Sequence, residues 1–144
     1  MNFSEEINQA PVKDVIKAYH QYIISEYNAE PGYITMNMPK LLDFLNAAGI
    51  ENPIICTSIN VDGFRMSGGK EAYEKVLRER ELRVIAMQVL SGGAKKPKEA
   101  ISYVCGLPNI KSILFGASSK ANIRETVSII RDYDLDDVNV IMEE

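Results

Sequence analysis

The sequence predicts an α/β fold in which four strand–helix units follow one leading helix. Apolar, β-branched runs alternate with segments whose apolar residues recur every three or four positions, which is the pattern of strands and amphipathic helices. The strand runs are almost continuously apolar, as in a parallel sheet with both faces covered. With 144 residues and 46% hydrophobic content, the chain is long enough for a core of its own. We expect one domain over 1–144, fraying at 1–10 and 133–144.

Each element has a local signal. Apolar residues spaced three, four and seven apart between positions 12 and 23 predict the leading helix, which ends before the breaker pair Pro31-Gly32. Pro39 suits the first turn of the second helix, and Gly49 suits the position just after its end. The other elements are predicted as strands at 33–37, 53–59, 82–90 and 112–117, and as helices at 71–80, 97–106 and 119–132.

Two topologies fit this order of elements. In half of a TIM-type (β/α)8 barrel, all helices lie on one face of the sheet and a partner must cover the other face. In a flavodoxin-like open parallel sheet, helices cover both faces. The C-terminal tail, whose acidic residues precede the apolar stretch 138–141, then either frays or adds an edge strand.

Composition narrows the function classes. The formal net charge of -4 argues against nucleic acids and anionic membranes as partners, and no apolar run is long enough to span a bilayer. The first residues lack the basic and apolar regions of a signal peptide. Cys56 and Cys105 lie in apolar stretches and are expected to be buried free thiols. We therefore expect a cytoplasmic protein.

Two glycine-bearing loops end the last two predicted strands, at 90–94 and 115–119. Backbone N–H groups at such loops bind phosphate without any catalytic residue, and the last two strands of a barrel end in this way. Hydroxyl donors and positive charges lie nearby. The alternative interpretation is that the glycines turn the chain, the serines cap helices and the lysines form a solvated surface. The residues concerned are Ser91, Gly92, Gly93, Gly116, Ala117, Ser118 and Ser119, with Lys95, Lys96, Lys98 and Lys120.

Polar residues near the ends of the first strands form a second candidate group. Thr35 and Asn37 alternate along the chain, as do Ser58 and Asn60, so each pair shares one face of the sheet. Ligands bind on that face at the carboxyl ends of barrel strands. The alternative is that these side chains only satisfy backbone groups of the loops. Gln88 is a further candidate for this group, and Arg65 and Lys70 could reach an anion from the loop 63–69.

From residue 32 onward, the segments resemble the second half of the aldo-keto reductase barrel. Residues 84–93, which end in Gln-Val-Leu-Ser-Gly-Gly, resemble the family's strand 7. Residues 114–125, which begin Leu-Phe-Gly-Ala-Ser-Ser, resemble the strand 8 loop and helix that hold the adenosine phosphate of NADP. Residues 34–38 and 55–60 stand at strands 5 and 6. The candidate ligand-binding residues are Asn37, Ser58, Ser91, Gly92, Gly93, Gly116, Ala117, Ser118, Ser119, Asn122 and Glu125.

The departures from the family pattern limit the expected activity. The catalytic Tyr, Asp, Lys and His of that family belong to its first four units, which have no counterpart in this sequence. The aromatic residue that stacks on nicotinamide falls on Met87, the carboxamide-binding glutamine on Ser58, the phosphate-binding arginine on Asn122, and the asparagine facing adenine on Thr126. The resemblance therefore implies weak NADP binding and no oxidoreductase activity of this chain alone.

Completion of the half-barrel requires a partner. Either a second copy of the chain, forming a homodimer, or a missing N-terminal half would close the barrel. Two other functions stay open: a structural or interaction module with no ligand, and the cofactor-binding half of a longer oxidoreductase. No spacing of His, Cys, Asp or Glu fits a metal site, and His20 is expected to be a surface or boundary histidine.

Overall fold

The computed structural model describes residues 3–133, with side chains from residue 11 onward. Within these residues it has the predicted α/β architecture, with four strands, five α-helices and one short 3-10 turn. None of these helices combines the length and apolar character needed to cross a bilayer. The elements are α1 (Phe3–Tyr27), β1 (Gly32–Thr35), α2 (Met38–Ala47), β2 (Ile54–Ser58), α3 (Lys70–Glu79), β3 (Arg83–Met87), the turn Ser91–Gly93, α4 (Pro97–Cys105), β4 (Ile110–Leu114) and α5 (Lys120–Arg131).

The four strands form one parallel sheet in the order β1-β2-β3-β4. In a flavodoxin-like sheet, the first strand lies between the second and the third, so that alternative is wrong for the described residues. Right-handed crossovers repeated in one direction leave the connecting helices on a single face of the sheet. The edge strand considered for the tail lies outside the described residues.

One face of the sheet carries the hydrophobic core. Ile55 and Val84 are fully buried on this face, and they belong to one cluster with side chains of all four helices that follow the strands. Leu45, Tyr73 and Ile101 are among the helical contributors. Because burial of each large apolar side chain stabilises a fold by about 1.5–3 kcal/mol, this face supplies most of the stability. We call it the covered face.

The leading helix packs at the β1 edge of this layer. His20 Nδ1 lies 2.8 Å from the Tyr33 hydroxyl, and the Tyr19 hydroxyl donates to the Gly32 carbonyl at 3.4 Å. His20 is therefore the boundary histidine that the sequence predicts. The helix begins at Phe3, well before the predicted start, and it includes Pro11, which removes one backbone donor from the helical ladder.

The opposite face of the sheet has no helix on it within the described residues. Ile34 is 74% exposed and Leu114 is 56% exposed, whereas Cys56 and Ile85, on the same face in neighbouring strands, are half-buried. This part of the chain therefore covers only one face of the sheet by itself, and coverage of the other face by a partner stays a prediction. We call this surface, formed by Ile34, Cys56, Ile85, Met87 and Leu114, the open face.

Two local details also differ from the predictions. The third strand ends at Met87 and not at residue 90, because Gln88 takes a left-handed conformation with φ of 55° and leaves the extended region. Cys56 and Cys105 are free but half-buried, not buried as expected. Partial desolvation raises the pKa of both thiols, that of Cys105 to about 11.

Candidate functional site

A cleft of about 880 Å³ lies over the carboxyl ends of β3 and β4. Both glycine-bearing loops line it, with Gly92 and Gly93 on one loop and Gly116 and Ala117 on the other. The loop after β2 also lines the cleft, through Phe64 and Arg65. Since ligands of parallel α/β sheets bind at this end of the strands, the cleft is the candidate site.

The loop that follows β3 needs its glycines for conformation. Gly92 and Gly93 have φ of 70° and 91°, in the left-handed region of backbone conformation that residues with a Cβ rarely adopt. A Cβ at either position would have no neighbour within 4 Å. The glycines therefore shape the turn and leave open space above it, and both properties suit close approach by a ligand.

The loop that follows β4 is open for a different reason. Gly116 has an ordinary φ, and a Cβ placed there would also have no neighbour within 4 Å. The fold would therefore accept a side chain at Gly116, and that side chain would occupy the cleft. This distinction between Gly92 and Gly116 allows ligand binding to be tested separately from backbone strain.

The second loop ends in the serine that caps α5, Ser119. Ser119 Oγ accepts from the Asn122 backbone N–H at 3.2 Å, and Asn122 Nδ2 donates to Ser118 Oγ at 3.1 Å. Ser118 still lines the cleft, whereas Ser119 and Asn122 are not among its lining residues. The capping interpretation is therefore confirmed for Ser119, whereas Ser118 accepts only from a side chain. A ligand here would rely on backbone N–H groups more than on the hydroxyls.

Asn60 holds the loop after β2 in place from a fully buried position. Its Oδ1 accepts from the Phe64 N–H at 2.7 Å, and its Nδ2 donates to the Phe64 carbonyl at 2.9 Å. The same Nδ2 reaches the Gln88 carbonyl at 3.4 Å. The side chain thus joins this loop to the end of β3. Its hydrogen bonds satisfy backbone groups of the loop, which agrees with the alternative interpretation that Asn60 has this structural role.

Left-handed backbone conformations are concentrated around the cleft. Among the described residues other than glycine, six have positive φ, and three of these are asparagines, which tolerate that region well. The other three are Arg65, Gln88 and Ser91, with φ of 55°, 55° and 50°. Arg65 and Gln88 line the cleft, and Ser91 precedes Gly92. Such conformations cluster at ligand clamps and active sites, where the surrounding structure imposes them.

Ser91 also has an unusual side chain. Its Oγ is buried and has no hydrogen-bond partner of ordinary geometry within the described residues. It nevertheless lies close to Asp62, whose pKa is lowered by the Ser91 hydroxyl and then by the Lys95 ammonium. A buried hydroxyl without a full hydrogen bond is costly, so the loop is held in this conformation by its surroundings and not by the serine itself.

Positive charge at the cleft comes from Arg65, since the predicted lysines contribute less than expected. Lys95 forms ion pairs with Asp62 at 3.3 Å and with Glu99 at 3.6 Å, and these carboxylates raise its pKa. Lys70 Nζ donates to the Val61 carbonyl at 3.3 Å, so it is already engaged. Lys96, Lys98 and Lys120 are exposed and form no ion pair within the described part of the chain.

The remaining predicted residues lie outside the lining of the cleft. Asn37 caps α2, with its Oδ1 accepting from the Lys40 N–H at 3.2 Å, and Thr35 Oγ1 accepts from the Asn37 N–H at 2.9 Å. Ser58 is buried and donates to Gln88 Oε1 at 2.7 Å. Glu125 is exposed on α5. Ligand contacts by Asn37, Ser58 and Glu125 stay predictions.

The sequence analysis missed the apolar part of the lining. Phe64, Leu114 and Phe115 line the cleft together with Met87, the residue that the resemblance aligns with an aromatic residue. The signal for Phe64 was available, because an aromatic residue beside an arginine follows a predicted strand. Leu114 gave no signal, because a leucine near the end of a strand is usually core.

Among the side chains described, those of residues 11–133, no group of three or more His, Cys, Asp or Glu is placed to hold a metal ion. The arrangement offers backbone amides, one arginine and an apolar wall, which can bind an anion but bring no acid–base pair together. No protein-family model, curated protein or solved structure matches this chain.

Proposed function

We propose that the cleft binds a phosphorylated small molecule or nucleotide. One observation carries this proposal: two glycine-bearing loops, from neighbouring strands, line a single cleft together with Arg65. Glycine loops present backbone N–H groups to phosphate oxygens, and an arginine can give a phosphate two parallel hydrogen bonds. The volume of about 880 Å³ lies within the range of small-molecule sites.

The resemblance to aldo-keto reductases makes NADP the first ligand to test. In that interpretation the chain is half of a TIM-type barrel, and the sequential strand order supports it. Binding would be weak, because Met87 and Asn122 replace the residues that stack on nicotinamide and grip the 2′-phosphate in the family. The chain would bind without catalysing hydride transfer, either alone or as the cofactor half of a longer oxidoreductase.

Titration calorimetry with NADP at low salt tests the binding proposal. Gly116→Val should abolish binding, because the new side chain occupies the cleft without straining the backbone. Ala47→Val is the matched control: Ala47 is exposed at the end of α2, which lies at the opposite end of the sheet from the cleft. Equal affinities for the two variants and the unchanged protein would contradict the proposal.

A second candidate function is that of an interaction module, favoured by the open face. Ile34 and Leu114 expose apolar side chains there, and β1 and β4 are edges of the described sheet. Exposed apolar sheet surface and unpaired edges favour association. A second copy or an N-terminal half-barrel would cover this face and extend the sheet at both edges.

Sedimentation at increasing protein concentration tests this second candidate. Leu114→Lys should disrupt a dimer formed through the open face, whereas Val15→Lys, at a position 68% exposed on α1, should leave it intact. A monomer at every concentration would exclude self-association and leave a different chain or segment as the partner.

A further inference from the structure

The lining of the cleft combines two kinds of chemical group. The glycine-bearing loops offer backbone groups, whereas Phe64, Met87 and Leu114 form an apolar wall. Phe64 is 42% exposed although it is aromatic, and Leu114 is 56% exposed. Inorganic phosphate alone would leave this wall in water. An occupant with an apolar part of its own would cover it, and removal of that apolar surface from water would favour binding.

Phe64 and Arg65 form a pair that brings an apolar ring and a cation into this lining. The guanidinium carbon of Arg65 lies over the Phe64 ring, 5.2 Å from its centroid. This contact orients the guanidinium without using its hydrogen-bond donors. Arg65 makes no ion pair within the described residues, so its donors are available to an anionic ligand in the cleft that both residues line.

The pair is held before any ligand arrives. Asn60 fixes both backbone groups of Phe64, and Arg65 keeps a left-handed φ of 55°. Arginine has no intrinsic preference for that conformation, so the loop imposes it. A recognition side chain on a backbone already fixed loses less conformational entropy when it binds.

We propose that the Phe64–Arg65 pair selects a phosphate monoester that carries a flat ring, with the phosphate held by Arg65 and the glycine-bearing loops and the ring packed on the wall of Phe64, Met87 and Leu114. This inference rests on the proposed function, and it assigns the anion contact to the loop after β2 and not to α5. Phe64 and Arg65 are thereby specificity-determining residues.

Three probes separate the contributions of the ring and the phosphate: adenosine 5′-monophosphate, ribose 5-phosphate and adenosine. A stacked base contributes about 1–3 kcal/mol, so adenosine 5′-monophosphate should bind about tenfold more tightly than ribose 5-phosphate. Phe64→Leu should remove that preference, and it should weaken ribose 5-phosphate binding to a smaller extent because the ring no longer orients Arg65. Calorimetry on the full chain measures both affinities.

Arg65→Asn tests the anion contact without disturbing the loop, because asparagine tolerates a left-handed φ better than arginine. Hydrogen bonds to charged groups contribute about 1.5–3 kcal/mol, so both phosphate probes should bind at least about tenfold more weakly. Adenosine should be affected little. Arg124→Asn removes the same charge from an exposed position on α5 and should change none of the affinities.

The outcomes distinguish the inference from the function on which it rests. Equal affinities for adenosine 5′-monophosphate and ribose 5-phosphate, or an unchanged preference in Phe64→Leu, would overturn the role of the ring while phosphate binding stands. Equal losses in Arg65→Asn and Arg124→Asn would overturn the assignment of Arg65. No binding of either phosphate probe to folded protein would overturn the proposed function itself.

Discussion

The two faces of this sheet share the same strands but have different surroundings. On the covered face, Ile55 and Val84 are fully buried beneath the helices. On the open face, Cys56, which follows Ile55 on β2, is half-buried. Its partner on β1, Ile34, is 74% exposed. Both faces are apolar in sequence, so the strand pattern alone does not distinguish an internal core from a surface that awaits a partner.

The difference shows where stability and function are located. Helices α2 to α5 complete the covered face, which makes the fold stable. The open face is incomplete in the described residues, and at its carboxyl end Met87 and Leu114 continue into the lining of the cleft. The proposed ligand site and the proposed interaction surface are therefore adjacent parts of one surface.

Matched isoleucine substitutions give the largest expected contrast between the faces. Ile55→Ala should destabilise the protein by about 2–5 kcal/mol, because it leaves a cavity in the core. Ile34→Ala should change the free energy of unfolding by less than about 0.5 kcal/mol, as at most exposed positions. Urea unfolding at low protein concentration measures both values.

Equal losses in the two isoleucine variants would contradict the contrast. That result would mean that the open face is covered in solution, and the loss at Ile34 should then depend on protein concentration if a second copy is the cover. If the loss at Ile34 depends on protein concentration, it measures how much Ile34 contributes to the interface between two copies.

The loops where the open face ends give a smaller contrast. Gly92→Ala should destabilise the protein by about 1–2 kcal/mol, because its φ of 70° is unfavourable for alanine. Gly116→Ala should be nearly neutral, since neither its backbone nor its surroundings oppose a methyl group. Thermal unfolding of the two variants checks this, and a large loss at Gly116 would show that the space above that loop is filled.

Alkaline pH gives the smallest expected effect. Desolvation raises the pKa of Cys105 to about 11, above the value of about 8.5 in an unfolded chain. The unfolded state therefore loses this proton first, and the contribution to stability is present below about pH 8.5 and is lost as pH rises towards 11. Because Cys105 is only half-buried, water screens the effect and the slope should be shallow.

Cys105→Ser should flatten the dependence of unfolding free energy on pH between about 8.5 and 10, before the tyrosines titrate. Tyr33, whose pKa desolvation raises to about 12, adds to the decline only above pH 10. Urea unfolding at several pH values measures the slope. An identical slope in the serine variant would show that Cys105 keeps an ordinary pKa in the folded protein.

Local patterns in the sequence predict the elements well but not their surroundings. The alternation of strands and helices follows from nearby residues, as does helix capping by a serine of the 115–119 loop, and both are confirmed. The strand order and the exposure of Ile34 depend on contacts far apart in sequence. The early end of β3 depends on Gln88, a residue that rarely adopts positive φ, and no pattern indicates it.

In the candidate site, too, some features follow from local sequence and others depend on contacts between distant residues. The glycines at 92, 93 and 116 could be recognised because loops at the ends of parallel strands converge. The engagement of Lys95 by Asp62, the hydrogen bond from Asn122 to Ser118 and the position of Phe64 depend on side-chain partners. These partners change which residues could contact a ligand, and sequence spacing does not reveal them.

The most direct test of phosphate binding is an amide-shift NMR titration of the full chain with inorganic phosphate and, separately, NADP. We predict selective movement of the amides of Gly92, Gly93, Gly116 and Ser118 with phosphate. NADP should give a larger effect that extends to Asn122 and Glu125 if the resemblance to aldo-keto reductases is correct. Unmoved loop amides with both ligands, in a sample whose spectrum shows it to be folded, would contradict the proposed function.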